Sequence, residues 1–333
     1  MEKLRNKFNT IILISILVTP IFLTPSDRKV ETSRRSILIG HEKSVTSLIL
    51  SNDLNILASG AEDKKIIIWD LKTNKLITTL LGHEEFITSL AISNDNKYLL
   101  SGGKDNKAIL WDLKSEKQIC KINKHGKLIQ ATGISDDSKY FATAGFFEKQ
   151  IYIWNTSDCT LYKEIIHDDD ITTLKFSTEE GSLISGSGGK GIQDLYIWNF
   201  HKNELLNNFG EHGDGVHQFT FSKNYIGSGS RNSPLKLWNI KSGQLMNTFI
   251  DLNEKLNQTV YSIAISPLEN KIAAIYDFNC DLGIWNVNNG KQISSIYGNG
   301  ICFSEIKFTD ENNLLIVKSR KNDIEVMQLN LQL

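Results

Sequence analysis

At 333 residues with 40% apolar side chains, the chain is long enough for one large domain or two ordinary ones with a sizeable core. Its 37 basic and 38 acidic side chains leave a net charge of -1 with no long block of one sign, which excludes the electrostatic footprint of a nucleic-acid binder. The four prolines, at 20, 25, 234 and 267, fall outside the aliphatic runs, and 23 glycines accompany them, as suits a strand-rich fold with many tight turns.

The first 35 residues form a leader and linker. Lys3, Arg5 and Lys7 precede an uncharged run from Thr10 to Leu23 that is interrupted by Pro20. Fourteen residues is short for spanning a bilayer but suits the apolar core of a secretory signal. Thr24-Pro25-Ser26 is a poor cleavage site, so an uncleaved anchor competes with a cleaved signal. Either reading makes the protein secreted, periplasmic or membrane-anchored through residues 10–23. A cytoplasmic protein with a disordered tail or an extra apolar strand is the alternative.

From residue 36 the sequence repeats. The first unit alternates in "SVTSLILSND", closes "LNILASGAED" on small residues, buries "KKIIIWDLK", and runs through "KLITTLLGH" into the next unit, which predicts four short strands. All six tryptophans share the setting of that third strand: Trp69, Trp111, Trp154, Trp198, Trp238 and Trp285, spaced 42, 43, 44, 40 and 47 residues apart. Met327 holds the same slot 42 residues further on, making seven units. A glycine-histidine pair keeps the same beat at Gly40-His41 and Gly82-His83, and weaker versions follow at His125, His167 and His212.

Four short strands repeated seven times with a period near 42 is the pattern of a β-propeller, and the chain resembles the WD-repeat β-propeller family over residues 36–333. The expected fold is all-β: seven four-stranded antiparallel blades. The last unit ends after its third strand, so residues 36–39 are expected to pair with it and close the ring.

The resemblance further implies a hydrogen-bonded tetrad inside a blade, formed by histidine, a hydroxyl, an aspartate and tryptophan. The matching residues are His41, Ser59, Asp63 and Trp69 in the first unit, and His83, Ser101, Asp105 and Trp111 in the second. A buried indole N–H, hydroxyl and imidazole each need a partner, so the arrangement is physically reasonable in its own right. Unit three offers Glu148 in the aspartate's place and Ala144 in the hydroxyl's, and unit five keeps Ser228 but has Asn232. Units four, six and seven are expected not to complete the tetrad and to be locally less stable.

Reactive arrangements are few. "SGSGGKG" at 185–191 has no helix to aim amides at an anion and reads as a longer turn. His201 and His217 lie outside the repeat without a ligand constellation, and Asp168, Asp169 and Asp170 lack the alternate spacing of a calcium loop. No enzymatic activity, cofactor or metal is expected. Cys120, Cys159, Cys280 and Cys302 are scattered and read as free thiols, with a Cys280–Cys302 bridge as the conceivable pairing.

Function is then expected on the surface. In this family the loops before each first strand and the turns between second and third strands commonly form a platform for proteins and peptides. Phe86, Leu128, Phe146, Phe147, Phe278, Arg231, Lys104 and Glu62 map there. The favoured reading is a monomeric, non-enzymatic scaffold that presents a protein- or peptide-binding face. The alternative is an exported or membrane-anchored propeller that takes a small ligand or glycan in its central channel.

Overall fold

The computed structural model describes residues 30–331 except 178, 180, 189–193, 211, 213–214, 232, 251–258, 277–280 and 297–303. The leader run 10–23, Asn232, Phe278, Cys280 and Cys302 therefore lie outside the described residues. The described secondary structure is entirely β, and among these residues no helix is long and apolar enough to cross a membrane.

The chain enters through β1 (Val30–Ile39). Blade one follows as β2 (Val45–Leu50), β3 (Ile56–Ala61), β4 (Lys65–Asp70) and β5 (Lys75–Leu81). Blade two is β6 (Ile87–Ile92), β7 (Tyr98–Gly103), β8 (Ala108–Asp112) and β9 (Lys117–Ile122). Blade three is β10 (Ile129–Ile134), β11 (Tyr140–Gly145), β12 (Gln150–Asn155) and β13 (Leu161–Ile166). Blade four is β14 (Ile171–Phe176), β15 (Ser182–Ser187), β16 (Leu195–Asn199) and β17 (Glu204–Phe209). Blade five is β18 (Val216–Phe221), β19 (Tyr225–Ser230), β20 (Ser233–Asn239) and β21 (Leu245–Phe249). Blade six is β22 (Val260–Ile265), β23 (Lys271–Tyr276), β24 (Asp281–Asn286) and β25 (Gln292–Ile296). Blade seven is β26 (Ser304–Phe308), β27 (Asn313–Arg320) and β28 (Asp323–Leu331), completed by β1 as its outermost strand.

Each blade is an antiparallel meander from the inner to the outer strand, and the seven together form the expected propeller. Closure is more extensive than the four residues expected: β1 pairs with β28 from Val30↔Leu331 to Ile39↔Asp323, with one irregularity between Thr32 and Arg34. Residues 30–35, read from the sequence as linker, are therefore part of the closing strand.

The core is a set of wedges between neighbouring blades. Trp69, Ile67 and Leu57 of blade one pack with Val317, Ile324 and Val326 of blade seven and Leu38 of β1. Ile66, Ile68 and Leu80 of blade one pack on Ile87, Leu99 and Trp111 of blade two. A third strand such as "KIIIWD" is apolar on both faces because each face meets a different blade.

Turn chemistry repeats as well. Ser51, Ser93 and Ser135 each end a first strand and accept the N–H of Ile56, Tyr98 and Tyr140 at 3.0, 2.9 and 2.9 Å. Each also donates to the aspartate two residues on, at 2.6 to 2.7 Å. Asp70 likewise caps the turn after Trp69 by accepting the N–H groups of Lys72 and Thr73 at 2.8 and 3.1 Å.

Candidate functional site

In blade one, Trp69 Nε1–H donates to Ser59 Oγ at 2.8 Å, and Ser59 Oγ lies 2.8 Å from His41 Nε2. His41 Nδ1 meets the two oxygens of Asp63 at 3.0 and 3.2 Å. With the serine oxygen already accepting from the indole, its own proton is directed to Nε2, which leaves the imidazole proton on Nδ1 facing the carboxylate. Blade two repeats the geometry: Trp111 to Ser101 is 2.9 Å, Ser101 to His83 is 2.8 Å, and His83 to Asp105 is 3.0 Å. Glycine precedes each histidine because a Cβ on Gly40 or Gly82 would come within 2.8 Å of the Trp69 or Trp111 ring.

The carboxylates tie two loops together. Asp63 accepts the N–H of Glu42 at 2.9 Å and of Lys65 at 3.0 Å. Burial pushes the Asp63 carboxyl up, but these amides and the His41 ring outweigh it and hold the group below the ordinary carboxylate range. Asp105 is lowered in the same way by His83 and the amides of Glu84 and Lys107, against its burial.

Blade three departs from the sequence reading. Ala144 is not the hydroxyl position; Thr143 is, lying 2.9 Å from His125 Nε2 and accepting from Trp154 Nε1 at 3.1 Å. The turn between β11 and β12 carries one more residue than its counterparts in blades one and two, which moves the hydroxyl from ten residues before the tryptophan to eleven. Glu148, one methylene longer than aspartate, spans the extra distance, reaching His125 Nδ1 at 2.6 Å and Gly126 N at 2.8 Å.

Blades four and five keep three members. His167 and Trp198 share Ser185 at 3.2 and 2.9 Å; His212 and Trp238 share Ser228 at 2.8 and 2.7 Å. With no carboxylate of a described residue hydrogen-bonded to the ring, burial pulls His167 down to about 4 and His212 down to about 3. In blade six Ala274 stands where the serine would be, and Trp285 Nε1 has no hydrogen-bond partner among the described residues.

The tetrads are sealed, so the surface carries the candidate site. On the rim that holds the glycine-histidine loops, Lys104 N donates to Phe86 O and Phe146 N to Leu128 O, both at 2.8 Å. These bonds bring Phe86, Lys104, Leu128, Phe146 and Phe147 onto adjoining blades two and three. Phe86 and Leu128 are half-buried, Lys104 is exposed with its Nζ 4.5 Å above the Phe86 ring, and Phe146 and Phe147 are 39% and 65% exposed. The latter two rings touch, with centroids 4.0 Å apart. Phe147 has φ of 54°, a left-handed conformation that falls on the polar Lys64 and Asn106 in blades one and two. Glu62 is exposed on blade one, and Arg231, exposed on blade five, lines the central channel. Phe278 lies outside the described residues.

The histidines outside the repeat separate. His201 Nδ1 is 2.9 Å from Tyr162 OH within an aromatic group that includes Tyr140 and Phe200, whereas His217 lines the central channel. Among the described residues no group of three His, Cys, Asp or Glu could hold a metal.

For Cys120 and Cys159 the free-thiol reading is overturned, while Cys280 and Cys302 lie outside the described residues. Cys120 and Cys159 form a disulfide across 39 residues, with Cα atoms 6.5 Å apart. Cys120 is on the outer strand of blade two and Cys159 in the turn after β12 of blade three. They sit at different phases of the repeat and meet only because the blades adjoin.

Comparison with known proteins agrees with this architecture. The family described as "WD domain, G-beta repeat" matches residues 32–70 and 74–112. A second, "Mycoplasma protein of unknown function, DUF285", matches residues 219–311, from within β18 to beyond β26. No curated protein matches the chain. Among solved structures, "Structure of U3-55K" aligns with a TM-score of 0.75 at 16% identity, covering 88% of this chain and 98% of that one. "Crystal structure of RRP9 WD40 repeats" aligns with a TM-score of 0.77 at 16% identity, covering 90% and 100%. Residues 32–70 and 74–112 are thus similar to WD repeats, and the seven four-stranded blades share the fold of these β-propeller structures.

Proposed function

We propose that the protein is a non-enzymatic scaffold that binds a protein or peptide partner through the rim of blades two and three. The observation that carries this reading is the Phe146–Phe147 pair, held outward by a turn with an inserted residue. A phenylalanine in left-handed backbone conformation costs about 1 kcal/mol or more, and strain of this kind collects at functional positions. Phe86 and Leu128 extend the apolar surface, and Lys104 supplies a charged edge, the composition of an interaction hot spot. Substituting Phe86 and Phe147 together by alanine, then comparing partner capture and melting temperature with the parent, tests it. Lost capture at an unchanged melting temperature is expected; an altered melting temperature with undiminished capture overturns the proposal.

The compartment forms part of the same reading. A basic flank followed by an apolar run at residues 10–23 supports export or anchoring, and the Cys120–Cys159 disulfide supports an oxidising environment independently. Thiol counting on the unfolded, unreduced protein from its native source is expected to find no more than two of the four cysteines reactive. Four reactive thiols would remove the disulfide's support for export.

A further inference from the structure

The innermost strands of all seven blades enclose a channel of about 340 Å³. A volume of this size falls within the range of small-molecule pockets. Much of its wall is neutral and hydrogen-bonding: Ser47, Ser89, Gln130, Thr132, Thr173 and Gln218 are among the lining residues. Three charged side chains also line it, Lys175 on β14, Glu305 on β26 and Arg231 just after β19.

Lys175 and Glu305 both keep unused hydrogen-bonding capacity. Lys175 Nζ donates to Phe219 O at 3.0 Å, which leaves two further N–H groups. Lys307 Nζ is spent on Leu50 O, Ser51 O and Asn52 Oδ1 at 3.1, 3.3 and 2.8 Å. It influences Glu305 by charge alone. The Glu305 carboxylate forms no hydrogen bond with a described residue, although burial pushes it up and Lys175 and Lys307 pull it down. Burial in turn lowers Lys175, against the pull of Glu305.

We propose that the channel binds a neutral polyhydroxylated molecule, a monosaccharide, disaccharide or cyclitol, with Glu305 accepting from its hydroxyls and Lys175 donating to them. The chemistry selects this class. An anion would be drawn to Lys175 and Arg231 but repelled by Glu305 in the same chamber, and a cation would meet two charges of its own sign. A polyol carries both donors and acceptors, can meet the carboxylate and the ammonium with different hydroxyls, and leaves others for the serine, threonine and glutamine wall. This site is separate from the rim, so the Phe86→Ala and Phe147→Ala changes leave it untouched.

The test is titration of the full chain, by calorimetry and by ligand-observed NMR, with glucose, galactose, mannose, N-acetylglucosamine and myo-inositol. Inorganic phosphate and methylamine serve as the charged comparisons. At least one polyol is expected to bind saturably, and Glu305→Gln to weaken it about tenfold or more, as loss of a charged hydrogen-bond partner does. Gln130→Ala alters the wall without touching a buried charge, and it is expected to weaken the same polyol; it decides the matter if Glu305→Gln fails to fold. The proposal is overturned if no polyol saturates, if phosphate or methylamine binds while the polyols do not, or if no folded variant weakens the polyol.

Discussion

One hydroxyl organises each complete tetrad. Ser59 accepts from Trp69 and faces His41 Nε2 in a site closed to water, so Ser59→Ala strands two buried polar atoms at once. A loss of roughly 2–4 kcal/mol is expected in urea unfolding, since each orphaned buried group costs about 1–3 kcal/mol. Ser59→Thr should recover much of it, because blade three already uses Thr143 in that role. Residues also set the pH response. His167 and His212 are held neutral in the fold, at about 4 and about 3 against 6.5 for the free side chain. Their folded values are depressed, so the stability they supply is complete above about pH 6.5 and is lost as pH falls toward the folded values. Between about pH 6.5 and pH 5 each contributes a loss of about 2 kcal/mol. The melting temperature is therefore expected to fall across that range, and His212→Gln to make the fall shallower; a flat profile would contradict the neutral assignment.

At the level of strands and turns, the regular features were legible in the sequence and the local exceptions were not. A buried third strand announces itself as "KIIIWD" because both faces are covered, whereas the inserted residue in the β11–β12 turn leaves no mark on hydropathy. Counting back from Trp154 by the spacing of the first two units therefore lands on Ala144 when the chain uses Thr143. A second missed feature joins the blades: Thr46 Oγ1 donates to Ile87 O at 2.5 Å and Thr88 Oγ1 to Ile129 O at 2.6 Å, and Thr172 does the same to Val216 O. The repeated "VTSL", "ITSL" and "ITTL" openings carried that signal, but threonine in a strand already explains itself by β propensity. The disulfide was hidden for a different reason, since nothing local to Cys120 or Cys159 shows that blade two's outer strand reaches blade three's turn. Closing a loop of 39 residues contributes roughly 2–4 kcal/mol by restricting the unfolded chain. Replacing both cysteines by serine is expected to lower unfolding stability by about that amount with the near-ultraviolet spectrum retained. Equal stability of the oxidised protein and the double variant would show that the staple contributes nothing.

The ring as a whole depends on two chain ends that are far apart in sequence. β1 supplies the outer strand of blade seven, and its Leu38 is buried among residues of blades one and seven, including Trp69, Val317 and Val326. Without it β28 would be an open edge beside an uncovered wedge of core, the arrangement that invites pairing with another chain. The pairing begins at Val30, with Arg35 ion-paired to Glu325 and the Arg34 guanidinium donating to Lys72 O at 3.1 Å on blade one. Closure thus draws on residues 30–35 as well as on 36–39. Three truncations separate the contributions. A chain starting at residue 30 is expected to keep the full-length melting temperature and to run as a monomer. One starting at residue 36 should fold with a lower melting temperature, having lost about half the ladder but kept Leu38. One starting at Gly40 should associate or unfold, visible as oligomers in light scattering. If the chain starting at Gly40 remained a monomer as stable as the one starting at residue 30, the closing strand would be an accessory to a ring held by its inter-blade wedges alone. The alternative outcome, a graded loss across the three, would make the β1–β28 ladder the element on which the other six blades rely to stay curved into a circle.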